Sequence, residues 1–521
     1  MVASNGGKKQ KIASGFARIF GAQPALPRAH VVSVETDIAK GLHAFSIVGL
    51  PDKSVEEAKD RMASAIKNSD FESPKKSNKK IVVSLAPATL KKEGGAFDLP
   101  MALSFLLASE QVKFNPAGKL FAGELALDGE VRGILGALSI AITARDKNIK
   151  EFFLPEENLE EASLVSGVTL FGVSTLKELV EHLSGKKLIA PYVKKEKSRA
   201  VEGELEGPIF DDIREQKSAK RGLEIAIAGR HNIALYGPPG TGKTMLARAA
   251  TALLPELSLE EVIEVTMIHS LAGTSEGRAI VRAPFRSPHH TSSYASLIGG
   301  GSSPRPGEVT LAHRGVLFLD EFPEFHRDVV QALREPLEDK VVSISRAKGS
   351  SIFPANFMLI AALNPCPCGF WGTSRCECMP HLVEKYRRKI SGPVADRIDM
   401  WVSVGDIAPE AMAMRKRKDA GETETLRKNI LSARARQSER FKNTKGMSTN
   451  ADMKSKQIDG LAKLSPKAEE ALIGAARNLK LSPRGYHRTI KLARTVADLY
   501  GSDTIEPTHM LEALQYRARE L

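Results

Sequence analysis

The residues most suited to chemistry form one glycine-rich stretch. It follows a short apolar run, Ile233–Tyr236, and precedes a run typical of a helix, Met245–Ala250. Strand, glycine loop and helix in this order predict a phosphate site, because glycines let backbone N–H groups turn toward an anion. A lysine here would face the β- and γ-phosphates of ATP, and a threonine hydroxyl would hold Mg²⁺. The candidate nucleotide-binding residues are Gly237, Pro238, Pro239, Gly240, Thr241, Gly242, Lys243 and Thr244.

Polar residues follow two further apolar runs. Val316–Leu319 is followed by Asp320 and Glu321, and Phe357–Leu363 is followed by Asn364. At the end of a buried strand, the aspartate would lie beside Mg²⁺ and the glutamate would orient and deprotonate the attacking water. The asparagine would probe the γ-phosphate or that water. The three strand ends therefore predict one site for ATP hydrolysis.

Two other clusters contain residues that can bind metals. Cys366, Cys368, Cys376 and Cys378 lie within thirteen positions and could close a tetrahedral zinc site. Zinc is favoured over free thiols, and an iron–sulfur cluster is a third alternative. His289 and His290 also invite a metal interpretation. Packing or hydrogen bonding within their own segment is favoured instead, because adjacent residues of an extended segment face apart.

Composition narrows the class of protein. The 521 residues exceed one ordinary core and predict two or three domains. The formal charge of +13 favours a polyanionic partner. No apolar run reaches the roughly 18 residues of a membrane span, and the basic N-terminus lacks the apolar segment of a secretion signal. Four clustered cysteines indicate a reducing compartment, so we expect a cytoplasmic protein without membrane contact; a transit peptide is the alternative.

Changes in pattern divide the chain into five parts. The predicted parts are a disordered basic extension at 1–16, an α+β domain at 17–185, a charged linker at 186–207, the nucleotide-binding domain at 208–404 and a basic helical region at 405–521. In the last part, Ile490, Ala493, Ala497 and Tyr500 form an apolar stripe at helical spacing.

Two segments interrupt the nucleotide-binding domain. Thr266–Arg314 is longer than an ordinary connection and contains glycine-rich and basic pieces. Val341–Ser345 and Ser351–Phe353 flank Arg346–Gly349, which predicts a hairpin with a cationic tip formed by Arg346 and Lys348. A cationic tip suits contact with phosphates, although charged hairpin tips are also ordinary solvated turns.

Several motifs in the same order resemble the magnesium-chelatase-like AAA+ ATPases of the ComM/YifB family. The similarity runs from about Ala17 to Leu521. It is carried by FSIVGLPDKSVEEAKDR, VSLAPATLKKEGGAFDLPMAL, GPPGTGKTMLAR, PFRSPHHTSS, GEVTLAHRGVLFLDEFPEF, ALNPCPCG, SGPVADRID and LSPRGYHR. The resemblance implies an α/β fold: an AAA+ P-loop core with a helical lid, preceded by a Lon-protease-like α+β domain of the ribosomal S5 domain-2-like type.

The resemblance also implies roles for single residues. Gly237–Thr244 would be Walker A, Asp320 with Glu321 Walker B, and Asn364 sensor 1. Arg397 would be an arginine finger that reaches the ATP of a neighbouring subunit, its alternative being a surface salt bridge. Arg484 would be sensor 2 and touch ATP from the lid. The Thr266–Arg314 stretch would be a helix-2 insert. The chain departs from the family pattern at Glu215, where glycine is frequent on the adenine side.

The N-terminal domain resembles the Lon type but lacks its catalytic pair. A peptidase of this type needs a serine nucleophile activated by a lysine. Alignment with the serine loop places Ala96 at the serine, and alignment with the lysine segment places Leu138 at the lysine. We therefore expect a non-proteolytic binding or oligomerisation module.

The function that the resemblance implies is an ATP-driven hexameric motor on single-stranded or branched DNA. The family is associated with branch migration in natural transformation and homologous recombination. The basic charge agrees with a DNA partner, whereas an aromatic content of 6% gives no series of base-stacking residues. The alternative is a chelatase-like or MoxR-like ATPase that remodels a protein partner.

Overall fold

The chain folds into two units, each of which combines two separate stretches of the sequence. The first combines Met1–Val201 with Leu259–Ile280, and the second combines Glu202–Ser258 with Val281–Leu521. The structure is a computed structural model. It describes residues 15–76, 78–194, 207–301, 305–346, 349–390, 392–407, 421–444 and 446–517.

The first unit is an α+β domain, as predicted. Its strands are β1 Phe16–Gln23, β2 His30–Lys40, β3 Ala44–Val48, β4 Lys79–Ala86, β5 Lys119–Phe121, β6 Glu124–Leu125, β7 Val131–Arg132, β8 Glu151–Pro155 and β9 Thr169–Val173. Its helices are α1 Lys53–Asn68, α2 Asp98–Ala108, α3 Ala137–Asp146, α4 Leu159–Ala162, α5 Leu176–Leu183 and, later in the chain, α8 Leu259–Ala272. Short 3₁₀ turns occupy Pro74–Lys76, Gly95–Phe97 and Glu156–Asn158.

Two main sheets organise this unit. The first has the order β1-β2-β4-β3, with β3 parallel to β4 and the other pairs antiparallel. The second is parallel, in the order β5-β8-β9. Helix α1 places Val55, Ala58, Met62 and Ile66 on one buried face, and α2 is buried almost all round. A helix that is apolar on every side belongs inside a core, so α2 is central to the unit.

Helix α8 belongs to the first unit through specific contacts. The N–H of Gly136 reaches Ser270 at both its Oγ, 3.0 Å away, and its carbonyl oxygen, 3.3 Å away. The N–H of Glu161 donates to the carbonyl oxygen of Gly277 at 3.1 Å, and Met267 is buried in the core beside α3. The predicted nucleotide-binding range 208–404 includes this segment in sequence, but the segment packs with the first unit.

The second unit has nine described strands and thirteen described helices. The strands are β10 Ile233–Tyr236, β11 Phe285–Arg286, β12 Gly299–Gly300, β13 Arg305–Pro306, β14 Val316–Leu319, β15 Val341–Arg346, β16 Gly349–Pro354, β17 Met358–Leu363 and β18 Met400–Ser403. The helices of its core are α6 Lys217–Gly229, α7 Lys243–Ala249, α9 Tyr294–Ile298, α10 Glu308–Leu311, α11 Arg327–Ala332, α12 Arg334–Asp339, α13 Pro380–Arg387 and α14 Gly392–Ala395. The lid helices are α15 Glu422–Phe441, α16 Ser455–Leu461, α17 Pro466–Asn478, α18 Pro483–Leu499 and α19 Pro507–Gln515.

A parallel sheet in the order β11-β14-β17-β10-β18 forms the centre of this unit. Strands β14 and β17 are buried at every position, which explains their continuous apolar sequences. Short 3₁₀ turns occupy Phe210–Asp212, Ala250–Leu253, Phe322–Glu324 and Asn450–Asp452. Because parallel strands end at the same edge, the residues after β10, β14 and β17 meet there.

The lid helices share a core with the sheet, and the predicted stripe on α18 is mostly confirmed. Ile490, Ala493 and Ala497 are buried in that core. The prediction that Tyr500 belongs to this buried stripe is wrong. Helix α18 ends at Leu499, and Tyr500 is 66% exposed, with its ring stacked on that of His509. Within the described residues, no helix combines the length and apolar character needed to cross a bilayer.

Candidate functional site

The glycine loop connects β10 to α7. Gly240 and Gly242 have φ angles of +80° and +86°, which L side chains rarely adopt. A Cβ atom on Gly237 would lie 2.0 Å from the carbonyl oxygen of Val404, so no larger residue fits at that position. Backbone conformation and close packing therefore both require glycine in this loop.

Lys243 opens α7, and its ammonium group connects the loop to the neighbouring strand. Its Nζ donates to the carbonyl oxygens of Gly237 and Pro238, each at 2.7 Å, and to Oδ1 of Asn364 at 3.2 Å. Burial lowers the pKa of Lys243, and the nearby carboxylates oppose that shift. The structure thus brings together the cation of the glycine loop and the polar residue after β17.

Thr244 and Asp320 form the pair that would hold Mg²⁺. The Thr244 hydroxyl donates to Oδ2 of Asp320 at 2.7 Å. A hydroxyl and a carboxylate are hard oxygen ligands, the type that Mg²⁺ prefers. Here the two oxygens are close enough to bind the same ion. The chemistry of these donors therefore fits the metal.

Glu321 follows directly and has an unusual backbone. Its φ angle is +50°, and its N–H donates to Oδ1 of Asp320 at 2.9 Å. The side chain is half exposed, and Oε2 lies 3.2 Å from Nδ1 of His290. A left-handed non-glycine residue is uncommon and often belongs to a functional site. The conformation holds the carboxylate away from the buried end of β14 and beside an imidazole.

His290 is a site residue that the sequence did not reveal. The preference for packing within the segment is confirmed, since Nδ1 of His289 lies 2.8 Å from Oγ1 of Thr291 and the rings of His289 and His290 contact each other, but His290 also reaches Glu321 outside the segment. The two rings also do not face apart, since their centroids are 4.2 Å apart. The reason is that residues 287–292 form no strand, so alternation does not apply. Among the described residues, only the four cysteines form a cluster suited to a metal.

The departure from the family pattern at Glu215 has a structural counterpart. Glu215 and Gln216 both have φ angles of +51°, a conformation that glycine adopts most easily. The Gln216 amide donates to the carbonyl oxygens of Gly405 at 2.7 Å and of Thr241 at 3.5 Å. Two consecutive residues other than glycine thus adopt a left-handed backbone before α6, and the side chain of the second, Gln216, is hydrogen-bonded.

One carboxylate holds both predicted arginines. Glu338, on α12, forms an ion pair with Nη2 of Arg397, and its Oε1 lies 3.4 Å from Nη2 of Arg484. The hydrogen bond from Arg397 holds the pKa of Glu338 below its ordinary value. Among the described residues, Arg484 pairs with Glu338 and with no member of the glycine loop. Its contact with ATP stays a prediction, and the structure places it beside Arg397.

The two arginines line a cavity of about 850 Å³ within the second unit. Most of the charged groups around it are basic. The basic lining residues are Arg230, Lys340, Arg397, Lys454, Arg484, His487, Arg488 and Lys491. Five carboxylates also line the cavity, and four of the basic residues form ion pairs with three of them, so the cavity is lined largely by paired charges; the Gly237–Thr244 residues do not line it.

The four cysteines converge on one point. Their Sγ atoms all lie within 4.8 Å of one another; Cys366 is 3.3 Å from Cys368 and 3.9 Å from Cys376, and Cys368 is 3.7 Å from Cys376. Tetrahedral zinc–sulfur bonds would place sulfurs about 3.8 Å apart. The backbone N–H of Phe370 lowers the pKa of Cys368 to about 6. Four converging thiols, one of them readily ionised, fit a soft divalent cation.

The remaining predicted residues fall outside the ATP site or outside the described chain. Ala96 and Leu138 are buried apolar side chains of the first unit. The hairpin is confirmed, since β15 and β16 pair from Val341 with Pro354 to Arg346 with Gly349. Lys348 at its tip lies outside the described residues, as do residues 1–14 of the basic extension.

Comparison with known proteins extends these observations over the chain. The family described as "Magnesium chelatase, subunit ChlI" matches residues 209–412. "Subunit ChlI of Mg-chelatase" matches residues 34–158, and "Magnesium chelatase, subunit ChlI C-terminal" matches residues 420–517. Together the three matches include most of both units.

Relatives match over nearly full length. Competence protein ComM of Haemophilus influenzae is 42% identical over 495 residues, which cover 94% of this chain and 95% of that protein. YifB of Escherichia coli is 41% identical over 490 residues, covering 94% of each chain. Lon protease 2 of Bacillus subtilis is 29% identical over 222 residues, 37% of this chain and 40% of that protein.

Identity above 40% over almost the whole of both chains is sufficient to assign a family. The P-loop sheet, the helical lid and the α+β domain before them agree with that assignment. The chain therefore belongs to the ComM/YifB family of magnesium-chelatase-like AAA+ ATPases.

Proposed function

We propose that the protein is an ATP-hydrolysing motor that works as a ring, in the cytoplasm, on single-stranded or branched DNA. The observation that carries the ATPase part is the convergence of Lys243, Thr244, Asp320 and Asn364 at one sheet edge. Each of them contacts another through a side chain, so the groups for phosphate, metal and γ-phosphate recognition already share one location. The name of the Haemophilus relative, a competence protein, agrees with a DNA substrate.

The residues divide the chemistry between them. Lys243 would bind the β- and γ-phosphates, and Thr244 with Asp320 would hold Mg²⁺, which screens phosphate charge in the transition state. Glu321 would accept a proton from the attacking water, and its half-exposed carboxylate can reach that water. His290 would orient this carboxylate by a hydrogen bond from Nδ1. Asn364 would report on the γ-phosphate.

A ring supplies the rest of the site. Arg397 and Arg484 lie on the same carboxylate, Glu338, so both would be presented together to the ATP of a neighbouring subunit. An arginine brought in from a neighbour stabilises the charge of the transferring phosphoryl group. Both arginines line a cavity that the Gly237–Thr244 residues do not line, which supports this arrangement, and a hexamer is the proposed ring.

The DNA part of the proposal rests on charge and on the β15–β16 hairpin. The chain has a formal charge of +13, and the hairpin strands pair as far as Arg346 with Gly349; Lys348 of the predicted cationic tip lies outside the described residues. Lysine and arginine side chains at such a turn would meet phosphates and release counterions. Contact with a protein partner is the alternative outcome of the test.

The double change Arg346→Ala with Lys348→Ala tests the DNA contact. We expect basal ATP hydrolysis to be nearly unchanged and stimulation by single-stranded or branched DNA to be lost. The slope of log affinity against log salt should fall by about 0.9 for each phosphate contact removed on duplex DNA, and by about 0.7 on single strands. Measurements are ATPase rates with and without DNA and binding at several salt concentrations. The control Lys456→Ala with Lys467→Ala removes the same charge from two exposed lid positions. Unchanged DNA affinity in the hairpin variant would favour a protein substrate.

We also propose that the four cysteines bind one Zn²⁺. Cys366 is buried, and the separations between sulfurs agree with a tetrahedral site. Iron–sulfur binding would use the same thiolates and is the alternative outcome of metal analysis.

Purified protein is expected to contain about one zinc ion per chain, because four thiolates complete the coordination of that metal. Cys376→Ser should lower the zinc content, and chelation should lower the melting temperature, since structural zinc couples to folding. Elemental analysis and thermal unfolding measure both effects. A metal-free preparation with full activity and an unchanged melting temperature would contradict the proposal.

A further inference from the structure

The segment that contains the cysteines begins directly at the ATP site. The N–H of Gly237 donates to the carbonyl oxygen of Leu363 at 3.2 Å, and Asn364 accepts a hydrogen bond from Lys243. Cys366 follows two residues later and is fully buried. The first metal ligand is therefore fixed in position by the strand end that supports the glycine loop.

A second contact returns from the cysteine loop to the glycine loop. Gly369 has a φ angle of +87°, and its N–H donates to the carbonyl oxygen of Cys366 at 3.0 Å. A Cβ atom on Gly369 would lie 2.5 Å from Cδ and 3.1 Å from Cγ of Pro239. The backbone at Gly369 therefore lies against the proline ring with no room for a methyl group.

The four ligands lie on both sides of this contact in sequence. Cys366 and Cys368 precede Gly369, and Cys376 and Cys378 follow it. Other described contacts of the intervening residues are local, such as the Thr373 hydroxyl to the carbonyl oxygen of Phe370 and Arg375 over the Phe370 ring, and Arg387 of α13 lies over the Trp371 ring. Closing the four sulfurs on one ion would join the two ends of the loop and fix Gly369 between them.

We propose that the metal-bound cysteine loop is a brace for the phosphate-binding loop, which presses Gly369 against Pro239 and sets the affinity for ATP. This inference rests on the proposed ATP and zinc binding. The cation is of the soft divalent class that thiolates select. Loss of the metal would then weaken nucleotide binding without altering any residue that contacts the phosphates.

The brace would control the position of Pro239 and of the phosphate-binding groups that follow it. Pro239 is followed by Gly240, Thr241 and Gly242, whose backbone N–H groups would point toward the phosphates. The Thr241 hydroxyl and the Lys243 ammonium both donate to the carbonyl oxygen of Pro238. A shift of Pro239 would therefore move the carbonyl oxygen before it and the donors after it. Binding groups held slightly out of place lose much of their contribution.

A pair of glycines in the same loop provides a matched test. Gly372 has a φ angle of +86°, almost that of Gly369, but a Cβ atom there would meet nothing within 4 Å. Alanine at either position meets the same backbone strain, whereas only Gly369→Ala meets Pro239. We expect Gly369→Ala to bind a slowly hydrolysed fluorescent ATP analogue about tenfold more weakly than Gly372→Ala.

A double variant shows whether the contact itself is responsible. Pro239→Ala removes the ring atoms that the new methyl group would meet. In the Pro239→Ala background, the added Gly369→Ala change should then weaken binding of the analogue by less than about threefold. If Gly369→Ala weakens binding of the analogue equally with and without the proline ring of Pro239, the proposed brace is overturned. Circular dichroism and melting temperature of each variant identify any failure to fold.

Metal content separates this inference from the functions on which it rests. Both glycine variants keep all four cysteines and should keep the zinc of the unchanged chain. Removing the metal from the unchanged chain by chelation should weaken binding of the analogue about tenfold, as the Gly369→Ala change should. Equal affinity with and without metal, or between the two glycine variants, overturns the brace while zinc binding stands. A chain that binds no ATP analogue under any condition overturns the proposed ATPase instead.

Discussion

The Glu321→Gln variant is expected to bind ATP nearly as the unchanged chain does and to hydrolyse it about 10²–10⁴-fold more slowly. Glutamine has the same shape but cannot accept the proton of the attacking water. The predicted magnesium pair, Thr244 with Asp320, is untouched by the change. Filter binding or analogue fluorescence measures the affinity, and phosphate release in single-turnover experiments measures the rate.

Two controls make the Glu321 result specific. Lys243→Ala removes the buried cation of the loop and should abolish tight ATP binding, so it shows what loss of binding looks like. Glu324→Gln alters an exposed glutamate nearby, whose partner is Lys389 at 2.9 Å, and should leave hydrolysis unchanged. Normal turnover by Glu321→Gln would remove Glu321 from the proposed role of base.

The Arg397→Ala variant is expected to retain ATP binding and to lose at most about 10³–10⁵-fold in hydrolysis, the range of known arginine fingers. The arginine would act on a neighbour's ATP, so rings that mix Arg397→Ala with Lys243→Ala chains should recover part of the activity. The measurement is the ATPase rate of mixtures over a range of ratios. Activity can recover where a Lys243→Ala chain presents its intact Arg397 to the intact glycine loop of a neighbouring Arg397→Ala chain.

The ion pair with Glu338 provides the competing explanation, and a control addresses it. If Arg397 were only a partner of Glu338, then Glu338→Gln would lower activity as much as Arg397→Ala does. Arg388→Ala removes an exposed arginine that pairs with Glu384 and should have little effect. An equal loss of activity in a preparation of single subunits would show that Arg397 has a local structural role.

The centre of the ATP site could be predicted because its information is local. Strands β14 and β17 are uninterrupted apolar runs, each followed by its polar residue, and parallel strands bring those residues to one edge. The glycine loop needs Gly240 and Gly242 for backbone geometry that arises within a few positions, whereas the packing of Gly237 against Val404 comes from a distant part of the sequence. Short-range sequence therefore determines both the elements and the chemistry at their ends.

The contacts that the sequence could not provide are long-range. Glu338 is 59 residues from Arg397 and 146 from Arg484, and no periodicity relates them. His290 reaches Glu321 from a segment without regular structure, where alternation rules do not hold. The contact of Gly369 with Pro239 depends on how two loops lie side by side. Such contacts follow from tertiary packing and not from local pattern.

The excursion of the chain through α8 limits how the protein can be divided. A fragment that begins at residue 207 would keep α8 but lose Gly136, the donor to Ser270, and the apolar residues that bury Met267. The uncovered helix face would be an exposed apolar patch of the kind that promotes aggregation. A usable ATPase fragment would thus need Leu259–Ile280 removed and Ser258 joined to Val281 by a new linker. Removal of the whole first unit therefore requires two deletions in the gene and one inserted linker.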